Sequence, residues 1–184
     1  MKKTLLCMLT ALVMVACTAN KEKKENENAV QDEPAVTEAQ AQVASEGEEA
    51  PDFTLNDPEG NPLTLSSLRG KYVVLDFWGT WCKWCVKGIP DMKACYEKYE
   101  GLFEMLSIDF GDDEDTWLKA IDAYKMDWLH VITDEESAAQ LQEQYAIEGF
   151  PTKMVIDPEG KIIHITVGED PAFYKYIDDL FGTK

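Results

Sequence analysis

Cys82 and Cys85 are the two residues of this chain whose type and spacing are best suited to chemistry. Two cysteines separated by two residues can bring their sulfurs together across the first turn of a helix, where a disulfide can form and open. A helix that begins near Cys82 would place its sulfur beside unpaired backbone N–H groups and the positive end of the helix dipole. Both effects favour thiolate, the reactive form, over thiol. The spacing therefore predicts a redox-active dithiol.

The apolar residues 73–77 predict a strand that leads to this pair, and the strand contains one acid, Asp76. A carboxyl group in the middle of such a strand is kept from water unless the strand lies at the edge of its sheet. Burial disfavours the charged form, so we expect the pKa of Asp76 to be raised. An exposed acid on an edge strand is the alternative interpretation.

Between residues 51 and 184, the sequence pattern predicts a mixed succession of strands and helices. The predicted strands are a hairpin at 53–55 and 63–65, followed by 73–77, 103–109, 129–132, 153–156 and 161–167. The predicted helices are 82–100, with a proline at position 90, 113–125, 135–145, and a last one from 171 onward. This succession predicts an α/β domain of three layers.

The first residues have the character of an export signal. Two lysines precede an apolar run at 5–16 that is too short to span a bilayer as a helix. The run ends at Cys17 in a sequence that resembles the bacterial lipoprotein processing site. We therefore expect a lipid on Cys17 that anchors the protein on the periplasmic side of a bacterial membrane. Ordinary cleavage, with an incidental thiol at Cys17, is the alternative.

These observations divide the chain of 184 residues into a signal peptide at 1–16, a lipidated N-terminus and disordered acidic tether at 17–50, and a folded domain at 51–184. The tether is polar and lacks the apolar surface that folding requires. The formal net charge of the chain is −18. A surface of this charge repels nucleic acid, so we expect no nucleic-acid partner.

Four sequence features together resemble the thioredoxin superfamily, and within it the exported, membrane-tethered TlpA-like and ResA-like thiol-disulfide oxidoreductases. They are Asp76-Phe77-Trp78, Trp81-Cys82-Lys83-Trp84-Cys85, the helix with Pro90, and Phe150-Pro151-Thr152. The hairpin near residue 53 and the long segment between the cysteines and Pro151 indicate this branch. The resemblance covers residues 51–184. It implies a thioredoxin-like fold, with a three-layer α/β/α mixed sheet, an N-terminal β-hairpin and a helix–strand unit inserted at 113–132.

The resemblance also implies a role for each matching residue. Cys82 would attack a substrate disulfide, and Cys85 would be the buried cysteine that resolves the mixed disulfide. The bond before Pro151 would be cis, and the loop of Phe150 and Pro151 would lie against the dithiol and offer its backbone to a peptide. Asp76 matches the buried acid of classical thioredoxin, which shuttles the proton of the second cysteine.

Two positions depart from the family pattern. Gly88 stands where many members of the branch carry a glutamate, which leaves Asp76 as the acid predicted to take part in catalysis. The strand lysine that neighbours the acid in classical thioredoxin aligns with Met105, so a basic partner for Asp76 is not expected from that strand.

Other residues near the cysteines allow further expectations. Trp81 and Trp84 are candidate substrate contacts, and of the tryptophans around the motif Trp84 is the one expected to be exposed, while Trp78 is expected in the core. Cys95 is expected to be a buried, free cysteine. Lys83 would stabilise a neighbouring thiolate, and so the reduced form, which makes the couple more oxidising and leaves the direction of electron flow open.

The sequence thus predicts a reductase of protein or peptide disulfides, supplied with electrons by a membrane thiol reductant because the chain has no flavin or nicotinamide motif. The oxidase or isomerase direction is an alternative. A peroxidase would need a threonine three residues before its cysteine, whereas Thr80 lies two before Cys82. A non-enzymatic copper carrier would use His164 as third ligand, although such carriers have three residues between the cysteines. We expect no metal ion and no cofactor: zinc needs a second ligand pair, and haem attachment needs histidine in place of Val86.

Overall fold

The computed structural model describes residues 43–182, in which a mixed sheet carries helices on both faces. The strands are β1 (Thr54–Asn56), β2 (Pro62–Thr64), β3 (Tyr72–Trp78), β4 (Phe103–Asp109), β5 (Leu129–Ile132), β6 (Thr152–Ile156) and β7 (Ile162–Val167). The helices are α1 (Lys83–Lys98), α2 (Glu114–Tyr124), α3 (Glu135–Gln144) and α4 (Pro171–Phe181), with a 3₁₀ turn at Leu65–Leu68.

The expected signal peptide, the lipid site at Cys17 and most of the expected tether lie outside the described residues. Within residues 43–182, no helix combines the length and the apolar character needed to cross a membrane.

β3 is an interior strand of the sheet, whose order is β2-β1-β5-β4-β3-β6-β7. It runs parallel to β4, and β4 runs parallel to β5. On its other side β3 pairs antiparallel with β6, which is paired in turn with β7. The predicted N-terminal hairpin of β1 and β2 extends this same sheet, because Asn56 pairs with Ile132 of β5. The predicted three-layer α/β fold with an N-terminal hairpin is therefore confirmed, and α2 and β5 occupy the segment predicted as an insertion.

Alternate side chains of β3 serve opposite faces of the sheet. Leu75 and Phe77 pack into the cluster on the face covered by α3. Val74 and Trp78 pack on the other face, in clusters that include residues of α1. Asp76 lies between Val74 and Trp78 in this alternation, so its side chain belongs to the α1 face. Because both faces are covered, the acid is buried, and the edge-strand alternative is wrong.

The N-terminus of α1 is closed by a sulfur atom. Cys82 is the N-cap residue, and its Sγ accepts a hydrogen bond from the backbone N–H of Cys85 at 3.1 Å. The helix proper therefore begins at Lys83, one residue later than predicted, and contains Pro90 as expected. Its buried face consists of Cys85, Gly88, Ile89, Met92 and Cys95. The same helix thus positions the dithiol and covers the face of the sheet that holds Asp76.

Residues 43–50 pack on the domain, although the sequence analysis assigned them to the disordered tether. Ala44 and Ala50 are buried. The backbone of Ile162 in β7 donates to the carbonyl of Glu48 at 2.9 Å and accepts from the N–H of Gly47 at 2.7 Å. The polar composition of this stretch concealed its packing, because backbone groups make most of these contacts. The predicted boundary at residue 50 is therefore too late, and the packed region includes Ala44.

Phe181, at the end of α4, fixes this helix to the sheet and to the end of α1. Its ring is 2% exposed and stacks on Phe103 of β4, with ring centroids 5.6 Å apart. Tyr72 and Tyr99 contact the same ring at centroid distances of 5.2 and 5.9 Å. Four aromatic rings from β3, α1, β4 and α4 therefore meet at this point.

Phe181→Ala is expected to lower the free energy of unfolding by about 3–5 kcal/mol, because it leaves a cavity between aromatic rings that cannot collapse. Chemical unfolding followed by circular dichroism measures the change. Leu102→Ala serves as the control, since Leu102 is 44% exposed, and it should change stability much less than Phe181→Ala does. Equal effects of the two substitutions would contradict the packing described for α4.

Candidate active site

The two motif cysteines form a disulfide bond where β3 leads into α1. The Cα atoms of Cys82 and Cys85 lie 5.2 Å apart, and each residue is 6% exposed. Cys95, the remaining cysteine of the described residues, is free and buried, as predicted. Burial raises the pKa of the Cys95 thiol to about 11, which keeps it protonated and unreactive at neutral pH. The redox chemistry of the described part of the chain is thus concentrated at one pair.

Trp81 lies on the surface beside the disulfide in a fixed orientation. Its side chain is 56% exposed, but its indole Nε1 donates to the carbonyl oxygen of Phe110 at 2.6 Å and its ring meets Phe150 edge-on, with centroids 5.0 Å apart. A Cβ at Gly79 would lie 2.4 Å from the indole Nε1, so this position requires glycine. The expectation that Trp84 alone would be exposed is wrong, because this hydrogen bond holds the Trp81 ring outward.

Trp84 and Trp78 lie where they were expected. Trp84 is 55% exposed, and the ammonium of Lys87 lies over its ring at 4.8 Å from the centroid. Trp78 is fully buried in the cluster that contains both cysteines. One exposed indole therefore precedes the disulfide in the chain and a second lies between its two cysteines, an arrangement suited to an apolar or aromatic partner surface.

The turn before Cys82 is fixed by an acidic side chain. The backbone N–H of Thr80 donates to Asp112 Oδ2 at 2.6 Å, and its hydroxyl donates to Asp112 Oδ1 at 2.7 Å. The hydroxyl proton of Thr80 is therefore directed to a carboxylate and not to Cys82. This arrangement does not favour the peroxidase alternative.

The peptide bond between Phe150 and Pro151 is cis, as expected. Phe150 packs against the cluster that contains Cys82 and Cys85, so the structure brings this loop to the dithiol. The carbonyl of Pro151 accepts a hydrogen bond from the N–H of Gly168 at 2.7 Å. The loop is thus held from the β7 side.

Asp76 is enclosed beneath α1. The hydroxyl of Ser107 in β4 donates to its Oδ2 at 3.3 Å, and Ser107 in turn accepts from the indole of Trp128 at 2.9 Å. Burial raises the pKa of Asp76 to about 6, against the lowering effects of the nearby Lys153 charge and the Ser107 hydrogen bond. The expected upward shift is confirmed, and it places the titration of this carboxyl close to neutral pH, where an acid–base group is useful.

Asp76 has a basic neighbour after all, and it comes from the opposite side of β3. Met105 is buried in the core and pairs with Val74, as a β4 residue should. Lys153 of β6 is the register partner of Asp76 and is 2% exposed. Sequence reasoning missed it, although a lysine within the apolar run 152–156 is the same signal that singled out Asp76.

Lys153 forms its ion pair with Glu169, which follows β7. Its Nζ lies 2.7 Å from Glu169 Oε2, and the Glu169 side chain is only 11% exposed. The hydroxyl of Tyr174 in α4 donates to Glu169 Oε1 at 2.8 Å. Glu169 also occupies the space beside Gly88, where a Cβ would lie 2.2 Å from Oε2. The Glu169 carboxylate thus lies beside position 88, where the family pattern has a glutamate and this chain has glycine.

The histidines are engaged by their own neighbours. Among residues 43–182, no group of three or more His, Cys, Asp or Glu side chains is arranged to hold a metal ion. His164, the third ligand of the copper-carrier alternative, stacks on Tyr176 with ring centroids 4.0 Å apart and has its Nε2 3.0 Å from the Thr166 hydroxyl. His130 is buried, and burial lowers the pKa of its imidazole to about 4.

A second buried acid, Asp109, ends β4 next to the site. Its Oδ1 accepts a weak hydrogen bond from the N–H of Asp112 at 3.3 Å, and its Oδ2 has no hydrogen-bond partner among the described residues. Burial, with a contribution from the nearby Asp112 carboxylate, raises the pKa of Asp109 to about 8. At neutral pH this carboxyl is therefore mostly protonated. Sequence reasoning did not single it out, because it stands at the end of a strand among other acids.

Comparison with known proteins identifies relatives of the same fold and chemistry. Residues 47–165 match the AhpC/TSA family. The thiol-disulfide oxidoreductase ResA of Bacillus cereus (strain ZK / E33L) is 35% identical over 124 residues, which are 67% of this chain and 70% of that protein.

Solved structures give the same picture. The thioredoxin domain of a thiol-disulfide oxidoreductase from Bacteroides vulgatus superposes with a TM-score of 0.70 at 31% identity, over 76% of this chain and 99% of that chain. A thiol:disulfide interchange protein from Bacteroides sp. superposes with a TM-score of 0.68 at 32% identity, over 76% of this chain and 91% of the other.

Asp109 makes stability depend on pH. Above 3.8 the unfolded chain has released this proton, while the folded protein keeps it up to about pH 8. The free energy of unfolding therefore falls as pH rises through this window, by at most about 1.4 kcal/mol per pH unit. Asp109→Asn removes the effect, so its stability relative to wild type should increase from about pH 5 to about pH 8, as measured by chemical unfolding.

Asp115→Asn provides the matched control for Asp109→Asn. The Asp115 side chain is 87% exposed on α2, so its substitution should change stability by less than about 0.5 kcal/mol. A stability difference between Asp109→Asn and wild type that stays constant with pH would contradict the buried, protonated state of Asp109.

Proposed function

Because the chain belongs to the AhpC/TSA family and is a thiol-disulfide oxidoreductase of the ResA type, we propose that it reduces protein or peptide disulfides through Cys82 and Cys85. The observation that carries this proposal is the position of the disulfide. It closes the N-terminus of α1, has exposed indoles at Trp81 before it and at Trp84 between its cysteines, and lies on the sheet face that holds a buried acid.

Cys82 is the attacking residue in this proposal. Its Sγ already accepts the N–H of Cys85, and the N-terminal end of α1 favours negative charge on the sulfur once the disulfide is open. The thiolate attacks one sulfur of a substrate disulfide, forms a bond between Cys82 and that sulfur, and releases the other substrate sulfur as a thiolate, which takes a proton from water. The product of this step is a mixed disulfide.

Cys85 then resolves the mixed disulfide. Its thiol transfers a proton to the carboxylate of Asp76, and the resulting thiolate attacks Cys82 Sγ. The bond between the two cysteines forms and the second substrate thiolate leaves, taking up the proton that Asp76 received. Two electrons pass from the enzyme dithiol to the substrate, so a thiol reductant must then reduce the enzyme again.

Substrate binding is assigned to the surface around the disulfide. Trp81 and Trp84 supply exposed aromatic area, and Trp81 is held in place by its hydrogen bond and by Phe150. The loop of Phe150 and Pro151 offers the backbone against which an extended peptide would lie. This surface fits a polypeptide better than a small disulfide. The net charge of −18 supports the absence of a nucleic-acid partner.

The proposed location is the periplasmic side of a bacterial membrane, with a lipid on Cys17 as anchor and a membrane thiol reductant as electron donor. The support comes from the sequence of the first residues, in which two lysines and an apolar run precede Cys17. Exposure to an oxidising compartment explains why a reductase there needs a continuous supply of electrons.

Cys82→Ser is expected to bring the reduction of a fluorogenic peptide disulfide by the reduced protein to the uncatalysed rate, because a serine hydroxyl does not attack disulfides. Fluorescence of the released thiol measures the rate. Cys95→Ser is the matched control and should keep the wild-type rate. Equal rates for Cys82→Ser and wild type would sink the proposal.

Cys85→Ser is expected to accumulate a covalent adduct with the peptide, because the resolving thiol is missing. Intact-mass and peptide-mapping mass spectrometry locates the adduct, which should lie on Cys82. An adduct on Cys95, or the absence of any adduct, would mean that the proposed roles of Cys82 and Cys85 are wrong.

The direction of exchange is tested by mixing equal amounts of protein and peptide from both starting states. Reduced protein with peptide disulfide, and oxidised protein with peptide dithiol, should reach the same equilibrium, with most of the peptide reduced. An equilibrium with most of the peptide oxidised would reverse the proposed direction while leaving the roles of the cysteines intact.

A further inference from the structure

Three charged side chains meet behind the disulfide, on the face of the sheet covered by α1 and α4. Lys153 is 2% exposed, the Glu169 side chain 11%, and Asp76 is the register partner of Lys153 across β3 and β6. The ammonium pairs with Glu169 at 2.7 Å. Within residues 43–182, Lys153 makes no such ion pair with Asp76, although a buried carboxylate and a buried ammonium attract each other strongly. Glu169 therefore competes with Asp76 for the one ammonium.

Glu169 is held at this place by Lys153 of β6 and Tyr174 of α4, and α1 leaves the space for it. Tyr174 of α4 donates its hydroxyl to Oε1 at 2.8 Å, while Oε2 binds Lys153. On the α1 side, the space for the carboxylate exists because residue 88 is glycine: a Cβ there would lie 2.2 Å from Oε2 and 2.5 Å from Cδ. Glycine inside a helix costs about 1 kcal/mol relative to alanine. The helix thus retains an unfavourable residue at the point where Glu169 approaches it.

We propose that Glu169 is a positioning residue of the exchange reaction: by binding the Lys153 ammonium it prevents a direct pair between Lys153 and Asp76, and so leaves the Asp76 carboxylate free to take and return the Cys85 proton. This inference rests on the proposed proton transfer by Asp76.

The charged and hydrogen-bonding groups around Asp76 come from β4, β6, α4 and the turn after β7. Ser107 of β4 donates a hydrogen bond, Lys153 of β6 supplies positive charge, and Glu169 supplies negative charge, with Tyr174 next to it on α4. Burial is the largest effect on the pKa of Asp76, Lys153 and Ser107 lower it, and Glu169 raises it. A cation in direct contact lowers the pKa of a carboxyl by about 1–3 units. A direct pair would thus leave a carboxylate too weakly basic to accept a thiol proton near neutral pH.

Glu169→Gln is expected to move the acid limb of the pH–rate profile of the resolution step, in which Cys85 attacks the mixed disulfide, to lower pH by about one unit or more. Every profile compared is of this step, followed by release of the second peptide thiol. The substitution keeps the side-chain volume but removes the charge that binds Lys153, so the ammonium acts on Asp76 alone. The rate is measured with the reduced protein across the range in which Asp76 titrates, and circular dichroism confirms that the variant is folded.

Gly88→Ala tests the same contact from α1, without changing any charged residue. The new methyl group forces the Glu169 carboxylate toward the open groove lined by Lys87, Asp91, Tyr174 and Asp178, and away from Lys153. The acid limb should move in the same direction as in Glu169→Gln. Asp91→Asn is the matched control, because it removes a carboxylate from this groove that does not contact Lys153, and its profile should equal that of wild type.

Asp76→Asn tests the proton transfer by Asp76 separately from the positioning role of Glu169. If Asp76 carries the proton, this variant loses the acid limb, and the double variant Asp76→Asn/Glu169→Gln resembles it. An acid limb that persists in Asp76→Asn overturns the role of Asp76 and, with it, this inference. An acid limb that is lost in Asp76→Asn but stays at the wild-type pH in both Glu169→Gln and Gly88→Ala overturns the inference about Glu169 alone.

Discussion

The burial of a carboxyl group on an interior strand of the sheet is the constraint on which the rest of this site depends. Asp76 lies on β3 with strands on both sides and α1 above it, so its charge cannot be solvated by water. Neighbouring elements must therefore stabilise the charge in place of water. They supply one hydroxyl, from β4, and one ammonium, from β6, which does not form an ion pair with Asp76. Partial compensation of this kind leaves the carboxyl able to change its protonation state, whereas full compensation would fix it as an anion.

Helix α1 connects this buried acid to the surface chemistry. Cys82 caps its N-terminus, Cys85 lies in its first turn, and Gly88 in its second turn lies against the Glu169 carboxylate, so one helix positions both the sulfurs and the charged cluster. This arrangement also explains why residue 88 is glycine. A side chain there would occupy the space that the carboxylate from the other side of the fold now fills. The absence of an acid at position 88 and the presence of Glu169 after β7 are therefore two descriptions of one packing arrangement.

Most of the fold could be predicted because its strands are short, apolar and separated by clear turns. The strands 103–109 and 129–132 were placed correctly to the residue, and the dithiol followed from its spacing. The charged cluster could not be predicted in full. The position of Lys153 opposite Asp76 depends on the register of β3 and β6, which distant residues determine. The orientation of Trp81 was missed for a similar reason, since its partner Phe110 lies in another loop.

The packing of residues 43–50 against β7 has a consequence for the behaviour of the protein in concentrated solution. β7 is the last strand of the sheet, and the free edge of such a strand is a template for pairing with another molecule. Here Ile162 has both backbone groups bonded to the preceding segment, and the N–H of Ile165 is taken by the side chain of Glu46 at 2.9 Å. The chain thus caps its own edge with residues that bring carboxylates, which discourages edge-to-edge aggregation while the domain remains folded.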